Sequence, residues 1–193
     1  MSTIKKQKTS EKRLGYLLIA PAMILIFVIA IWPVVQSFYF SMFDYKLNDP
    51  TKSSVHTGYS LDLGNYLNNY PFIMSNLDKK IRSTNGNDKN KLIQVKGNLT
   101  TVDKQIQSKP ALKKRYDKIN KILDNFNTPA SKLAIGSIKK QTAIKKKQTF
   151  TDSYKTLKKM HDAKKTNKKD KLVGLTSSLQ DSIISPNFIG FAH

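Results

Sequence analysis

The residues best suited to chemistry in this 193-residue sequence are few and scattered. Histidine occurs three times, at His56, His161 and His193, too far apart in sequence for metal-ligand spacing. Cysteine is absent, which excludes disulfides, thiolate zinc sites and a cysteine nucleophile. Glu11 is the single glutamate, so no glutamate pair can divide general-acid and general-base work. Asp62, Asp103 and Asp117 are the carboxylates worth weighing, and each reads as a helix cap or surface carboxylate rather than an acid in a site. His161 falls on an apolar stripe beside Met160 and reads as a core or boundary histidine rather than a ligand. No G-x-S-x-G, Walker loop or H-E-x-x-H occurs. The sequence predicts no enzyme, and no catalytic, cofactor-binding or metal-binding residue. It assigns no substrate-binding residue either.

The chemistry that is abundant is cationic. The formal net charge is +21, and only Arg13, Arg82 and Arg115 are arginine. Residues 109–171 hold 20 Lys/Arg and five Asp, a net +15. This stretch reads as a solvated basic face or as a surface attracted to anionic envelope polymers and lipid headgroups. Nucleic acid is not expected as a partner. No nucleic-acid module is present, arginine is scarce, and few aromatics are interleaved with the lysines to stack on bases. The bias towards lysine and asparagine resembles an AT-rich coding genome, such as that of a low-GC Gram-positive bacterium.

The elements that carry these residues begin with a basic tail, 1–13, holding five Lys/Arg and one Glu. Residues 14–43 then contain no charge at all, a run of 30. The core of the run, 14–35, is 22 residues long, and as a helix it would reach about 33 Å, enough to cross a hydrocarbon layer of about 30 Å. It is apolar all round, with Tyr16 and Trp32 near its ends as interfacial aromatics and Pro21 and Pro33 towards the termini. A cleaved signal peptide fits poorly. The only A-x-A, at Ala20–Ala22, lies too early, and the run passes into the bulky stretch S-F-Y-F-S-M-F-D-Y rather than small residues. Charge near the helix ends sets orientation. The basic tail predicts a cytoplasmic N-terminus, and residues 36–51, with Lys46 as the one lysine, predict an extracytoplasmic exit. Residues 44–193 are therefore expected outside the cell membrane.

The rest predicts an all-α fold: a transmembrane helix followed by an extracytoplasmic helical hairpin or small bundle. Residues 44–60 read as a polar linker and 61–184 as the helical part. A helix is predicted from Pro71 to Arg82, with Phe72, Ile73, Leu77 and Ile81 inward. Leu92, Val95, Leu99, Val102 and Ile106 form one seam, and Leu112, Tyr116, Ile119, Leu123 and Phe126 a second. Pro110 opens the second helix, so the two form an antiparallel hairpin. Thr128-Pro129 predicts the start of a further helix to about Lys147. Phe150, Tyr154, Leu157 and His161 mark another stripe, and 163–171 a solvated linker. Leu172, Leu175, Leu179 and Ile183 make a last amphipathic segment before Pro186. No strand alternation is apparent.

Residues 11–45, E-K-R-L-G-Y-L-L-I-A-P-A-M-I-L-I-F-V-I-A-I-W-P-V-V-Q-S-F-Y-F-S-M-F-D-Y, resemble the first transmembrane segment of binding-protein-dependent ABC transporter permeases of the sugar-uptake type. Trp32-Pro33 matches the family's outer proline pair, and Ser37, Ser41, Phe43 and Tyr45 match its aromatic exit. N-F-I-G-F-A-H, 187–193, resembles the start of the motif that introduces the second membrane helix in that family, through Phe188, Ile189, Gly190 and Phe191. The resemblance implies that 185–193 lead to a second membrane helix and that the sequence is the N-terminal part of a permease. The long stretch between the two motifs resembles an extracytoplasmic insertion, which favours the maltose/maltodextrin-type branch, whose members carry large extracytoplasmic loops. The implied partners are a second permease subunit, cytoplasmic ATPase subunits, an extracellular substrate-binding protein and membrane lipid. The family's E-A-A-x-x-x-G coupling loop and later helices are missing, so this stretch alone would not transport. The other expectation is a membrane-anchored basic helical protein that binds anionic cell-envelope polymers.

Overall fold

A computed structural model of the chain describes residues 15–48, 52–163 and 170–189. The described chain is mainly helical and divides into two units, the first formed around residues up to Tyr45 together with Phe188 onward, the second by Lys46–Asn187.

The first unit is one long helix, α1, Gly15–Ser41, of 27 residues. At about 1.5 Å per residue it is about 40 Å long, and it is apolar enough to cross a membrane. Its large apolar side chains are all exposed, as a lipid-facing helix requires. The helix widens into a π-turn over Phe27–Ile31, where the Trp32 N–H reaches back to the Phe27 carbonyl. Pro33 explains the position. It has no N–H to donate, and its ring would press on the carbonyl four residues earlier in a regular helix. The wider turn relieves that crowding. Ser37 Oγ donates to the Pro33 carbonyl at 2.9 Å one turn later. Beyond α1 the backbone of Phe43 pairs antiparallel with Phe188, and the Ile189 N–H donates to the Met42 carbonyl at 2.7 Å. The Phe43 ring lies 5.2 Å from Tyr39 and 5.1 Å from Phe188 between ring centres, and it is buried.

The second unit opens with β1, Ser60–Asp62, followed by α2, Leu63–Ser83; α3, Gly86–Gln107; and α4, Pro110–Asp124. A short α5, Ser131–Ala134, leads into β2, Ile135–Ser137. Then come α6, Lys140–Asp162; α7, Lys171–Gln180; and β3, Ile183–Ile184. The helices α2, α3, α4, α6 and α7 pack around one apolar core that includes Tyr66, Leu77, Leu99, Ile119, Phe150 and Leu179. A small antiparallel sheet of order β2-β1-β3 ties the start, middle and end of the unit together. Leu61 lies opposite Gly136 on one side and Ile183 on the other, and it is fully buried. The predicted hairpin is present as α3 and α4, joined by two residues, with Pro110 at the first helical turn.

Several expected boundaries move. α2 begins at Leu63 rather than Pro71, which lies inside it. Asp62 caps the helix by accepting from the Asn65 N–H at 2.9 Å, and Leu63, Tyr66 and Leu67 are buried, so capping and burial outweigh the proline penalty. Phe72, expected inward, is 55% exposed. Phe126 does not extend the second seam and is 99% exposed, because α4 has already ended. The helix expected after Pro129 is interrupted. β2 pairs with β1, and α6 then joins the later part of that stretch to the Phe150–His161 stripe as one helix. Ile183 belongs to β3 instead of the last helix. The expected linker 44–60 ends in β1, and that of 163–171 ends in Asp170, whose carboxylate caps α7 through the Leu172 N–H. Residues 185–187, expected to lead towards a second membrane helix, belong to the second unit. The basic tail 1–13, Leu14, residues 49–51 and 164–169 of the two expected linkers, and residues 190–193 of the 187–193 motif lie outside the described residues.

Candidate functional site

Of the carboxylates singled out by sequence, Asp62 is a helix cap as expected, and Asp117 is exposed. Asp103 is neither cap nor surface. It is buried where α2, α3 and α4 meet. One of its oxygens accepts from Tyr66 Oη at 3.1 Å and Tyr116 Oη at 3.0 Å, and the other accepts from Gln107 Nε2 at 2.6 Å. Burial, followed by the Asp103 charge, pushes both phenols well above their ordinary pKa and Tyr70 up to about 12. They remain donors at neutral pH. Lys146 of α6 is also buried, with Nζ 3.4 Å from the Val102 carbonyl and 3.3 Å from Gln105 Oε1. Burial and then the Lys109 charge pull its ammonium down to about 8, although Asp103 opposes the shift. No buried side-chain polar atom among the described residues lacks a hydrogen-bond partner, so these contacts brace the helices that meet here.

His161 sits at the edge of the core with Nδ1 3.7 Å from Asp170, as a boundary histidine would. Asp170 also pairs with Lys80 of α2. Burial alone would raise the Asp170 carboxyl, but the Lys80 and Leu172 N–H hydrogen bonds and the Lys80 and His161 charges hold it below the ordinary range. His56 lies away from His161 in a different contact. Its backbone N–H donates to Asn187 Oδ1 at 2.8 Å, its carbonyl accepts from the Asn187 N–H at 3.1 Å, and Asn187 Nδ2 donates to the Ser54 carbonyl at 2.7 Å. Asn187 thus clamps the last residue of the second unit to its first segment. Among the described residues no cluster of His, Asp or Glu could hold a metal ion.

One open recess was not legible in sequence. It is a groove of about 670 Å³ between the first half of α2 and the connection from α4 to β2. Asn68 and Phe72 line it from α2, and Asn120, Phe126 and Asn127 from α4 and the turn beyond. Gly64 lets the two walls approach, since a Cβ there would lie 3.2 Å from Ala134 Cβ and 3.3 Å from Pro129 Cγ. Among the described residues, no Lys, Arg or His lines the groove, whereas Asp62 and Asp124 do. The turn at its lip is specific. The Asn127 N–H bonds the Ile122 carbonyl at 3.0 Å and the Phe126 N–H bonds the Leu123 carbonyl at 2.9 Å, the paired bonds of a Schellman ending. Phe126 occupies the left-handed position, φ +56°, where glycine is favoured. A shallow hollow on the other side of α5 has the opposite charge, with Lys114, Lys118, Lys132 and Arg115 around it.

No protein-family model, curated protein or solved structure matches the chain.

Proposed function

We propose that the chain supplies the first membrane helix and a large extracytoplasmic insertion of the permease subunit of an ABC importer for sugars, of the maltodextrin type. One observation carries the reading. The chain leaves α1 at Met42–Phe43 and, some 145 residues later, pairs with the same two residues through Phe188 and Ile189. A domain inserted into a loop needs adjacent ends, and these ends are held together. In this reading α1 crosses the cell membrane of a low-GC Gram-positive bacterium with its basic tail in the cytoplasm, by the positive-inside rule. A second permease subunit, cytoplasmic ATPase subunits and an extracellular substrate-binding protein complete the importer. Deleting the gene tests this: uptake of one labelled oligosaccharide should be lost and restored by the gene in trans. Unchanged uptake of every oligosaccharide the cell uses would contradict it.

A second reading, a membrane-anchored protein that binds anionic envelope polymers, is favoured by the hollow edged by Lys114, Arg115, Lys118 and Lys132. Attraction of this kind weakens as salt screens it over about 8 Å. Binding to purified teichoic acid that is lost in high salt, with sugar uptake intact in the deletion strain, would favour this second reading.

A further inference from the structure

We infer that the groove between α2 and the α4–β2 connection is a binding site for a neutral oligosaccharide. The inference goes beyond the transport reading and does not depend on it, because it is read from the lining of a groove that lies wholly within the second unit.

The chain carries a formal +21, yet among the described residues no cationic side chain lines this groove and two carboxylates do. In so basic a protein a ligand with phosphate, sulfate or carboxylate groups has many better places to bind. The groove also has unused hydrogen-bonding capacity. The side chains of Asn68, Asn120 and Asn127 make no hydrogen bond among the described residues, although other asparagines of α2 are engaged. A primary amide offers a donor and an acceptor side by side, which matches hydroxyls that both give and accept. Asp124 adds an exposed acceptor, whereas Asp62 is committed to capping α2. A fully cationic ligand would therefore meet little free carboxylate.

Two aromatic rings complete the lining. Phe72 and Phe126 are 55% and 99% exposed and both line the groove, so both rings are open to a ligand. Phe126 in particular occupies a left-handed turn position that favours glycine and gains no burial there. An apolar ring face in water, beside unpartnered amides, is complementary to the C–H face of a sugar ring whose edge carries hydroxyls. The groove volume of about 670 Å³ falls in the range of small-molecule sites.

The test uses the full chain in lipid nanodiscs, which avoids sugar-headed detergents. Maltoheptaose, cellohexaose and N-acetylchitohexaose, up to millimolar concentration, are compared with dextran sulfate and hexalysine by saturation-transfer NMR and calorimetry. At least one neutral oligosaccharide should bind, with transfer to its ring C–H protons and with affinity little changed by salt. Phe126→Gly should weaken that binding about tenfold or more while the protein melts at an equal or higher temperature, which separates lost binding from lost folding. Asn127→Ala should weaken it as well. Failure of all three neutral sugars to bind would overturn the inference. So would unaltered affinity in Phe126→Gly, or salt-sensitive binding of hexalysine or dextran sulfate at this groove in their place.

Discussion

Lys146 is the residue whose chemistry burial changes most usefully. Its ammonium falls to about 8 in the folded protein, against about 10.4 when exposed. Between those values the unfolded chain binds more protons than the folded one, so stability rises with pH. Below about pH 8 the penalty is fully present. Above about pH 10 the trend reverses. Tyr66 and Tyr116 ionise only at higher pH when folded, so the unfolded chain loses those protons first and stability falls. Lys146→Met should therefore raise stability at pH 7 by about 1–3 kcal/mol and flatten the rise from pH 8 to 10, measured by denaturant unfolding followed by circular dichroism. Asp103→Ala acts in the opposite direction. It leaves two buried phenol donors without their acceptor and should cost about 2–4 kcal/mol in the same assay. At the groove lip, Phe126→Gly removes a side chain from φ +56° and should stabilise by up to about 1 kcal/mol.

At the scale of elements, the helices were legible wherever one face had a regular apolar spacing. All five residues of the first seam, Leu92 to Ile106, are buried in α3, and Leu112, Tyr116 and Ile119 are buried in α4. The seam fails at its end because the helix stops at Asp124, four residues before Thr128 and five before Pro129, a stop signal the periodicity alone passes over. The strands were not legible for a different reason. Each is only two or three residues long and is stabilised by partners distant in sequence, Leu61 with Gly136 and Ile183, so there is no alternation to detect. The Asp103 cluster and the groove share that difficulty, since each is assembled from separate helices whose polar residues look solvated one at a time. The energetic consequence is testable. Leu99 is fully buried, and Leu99→Ala should cost about 2–5 kcal/mol. Leu123 packs only partly against the core, so Leu123→Ala should cost less than about 2 kcal/mol. Equal effects from the two would contradict the partial burial of Leu123.

For the whole molecule, the central feature is one membrane-length helix whose far end receives both strands of a large excursion. Phe43 and Phe188 pair, and Asn187 holds the Ser54–His56 segment. Asn187→Ala removes two of these hydrogen bonds at a buried position and should cost about 1–3 kcal/mol, with faster amide exchange at His56. The sidedness of this excursion is the claim on which the proposed function rests, and the lack of cysteine makes it directly measurable. Thr101 is exposed on α3, and Ser2 lies in the basic tail. Single Thr101→Cys and Ser2→Cys variants should be treated with a membrane-impermeant maleimide in intact cells and again after lysis. The prediction is that Thr101→Cys labels in intact cells, whereas Ser2→Cys labels only after lysis. Labelling of Ser2→Cys with protection of Thr101→Cys, or protection of both until lysis, would contradict an extracytoplasmic second unit.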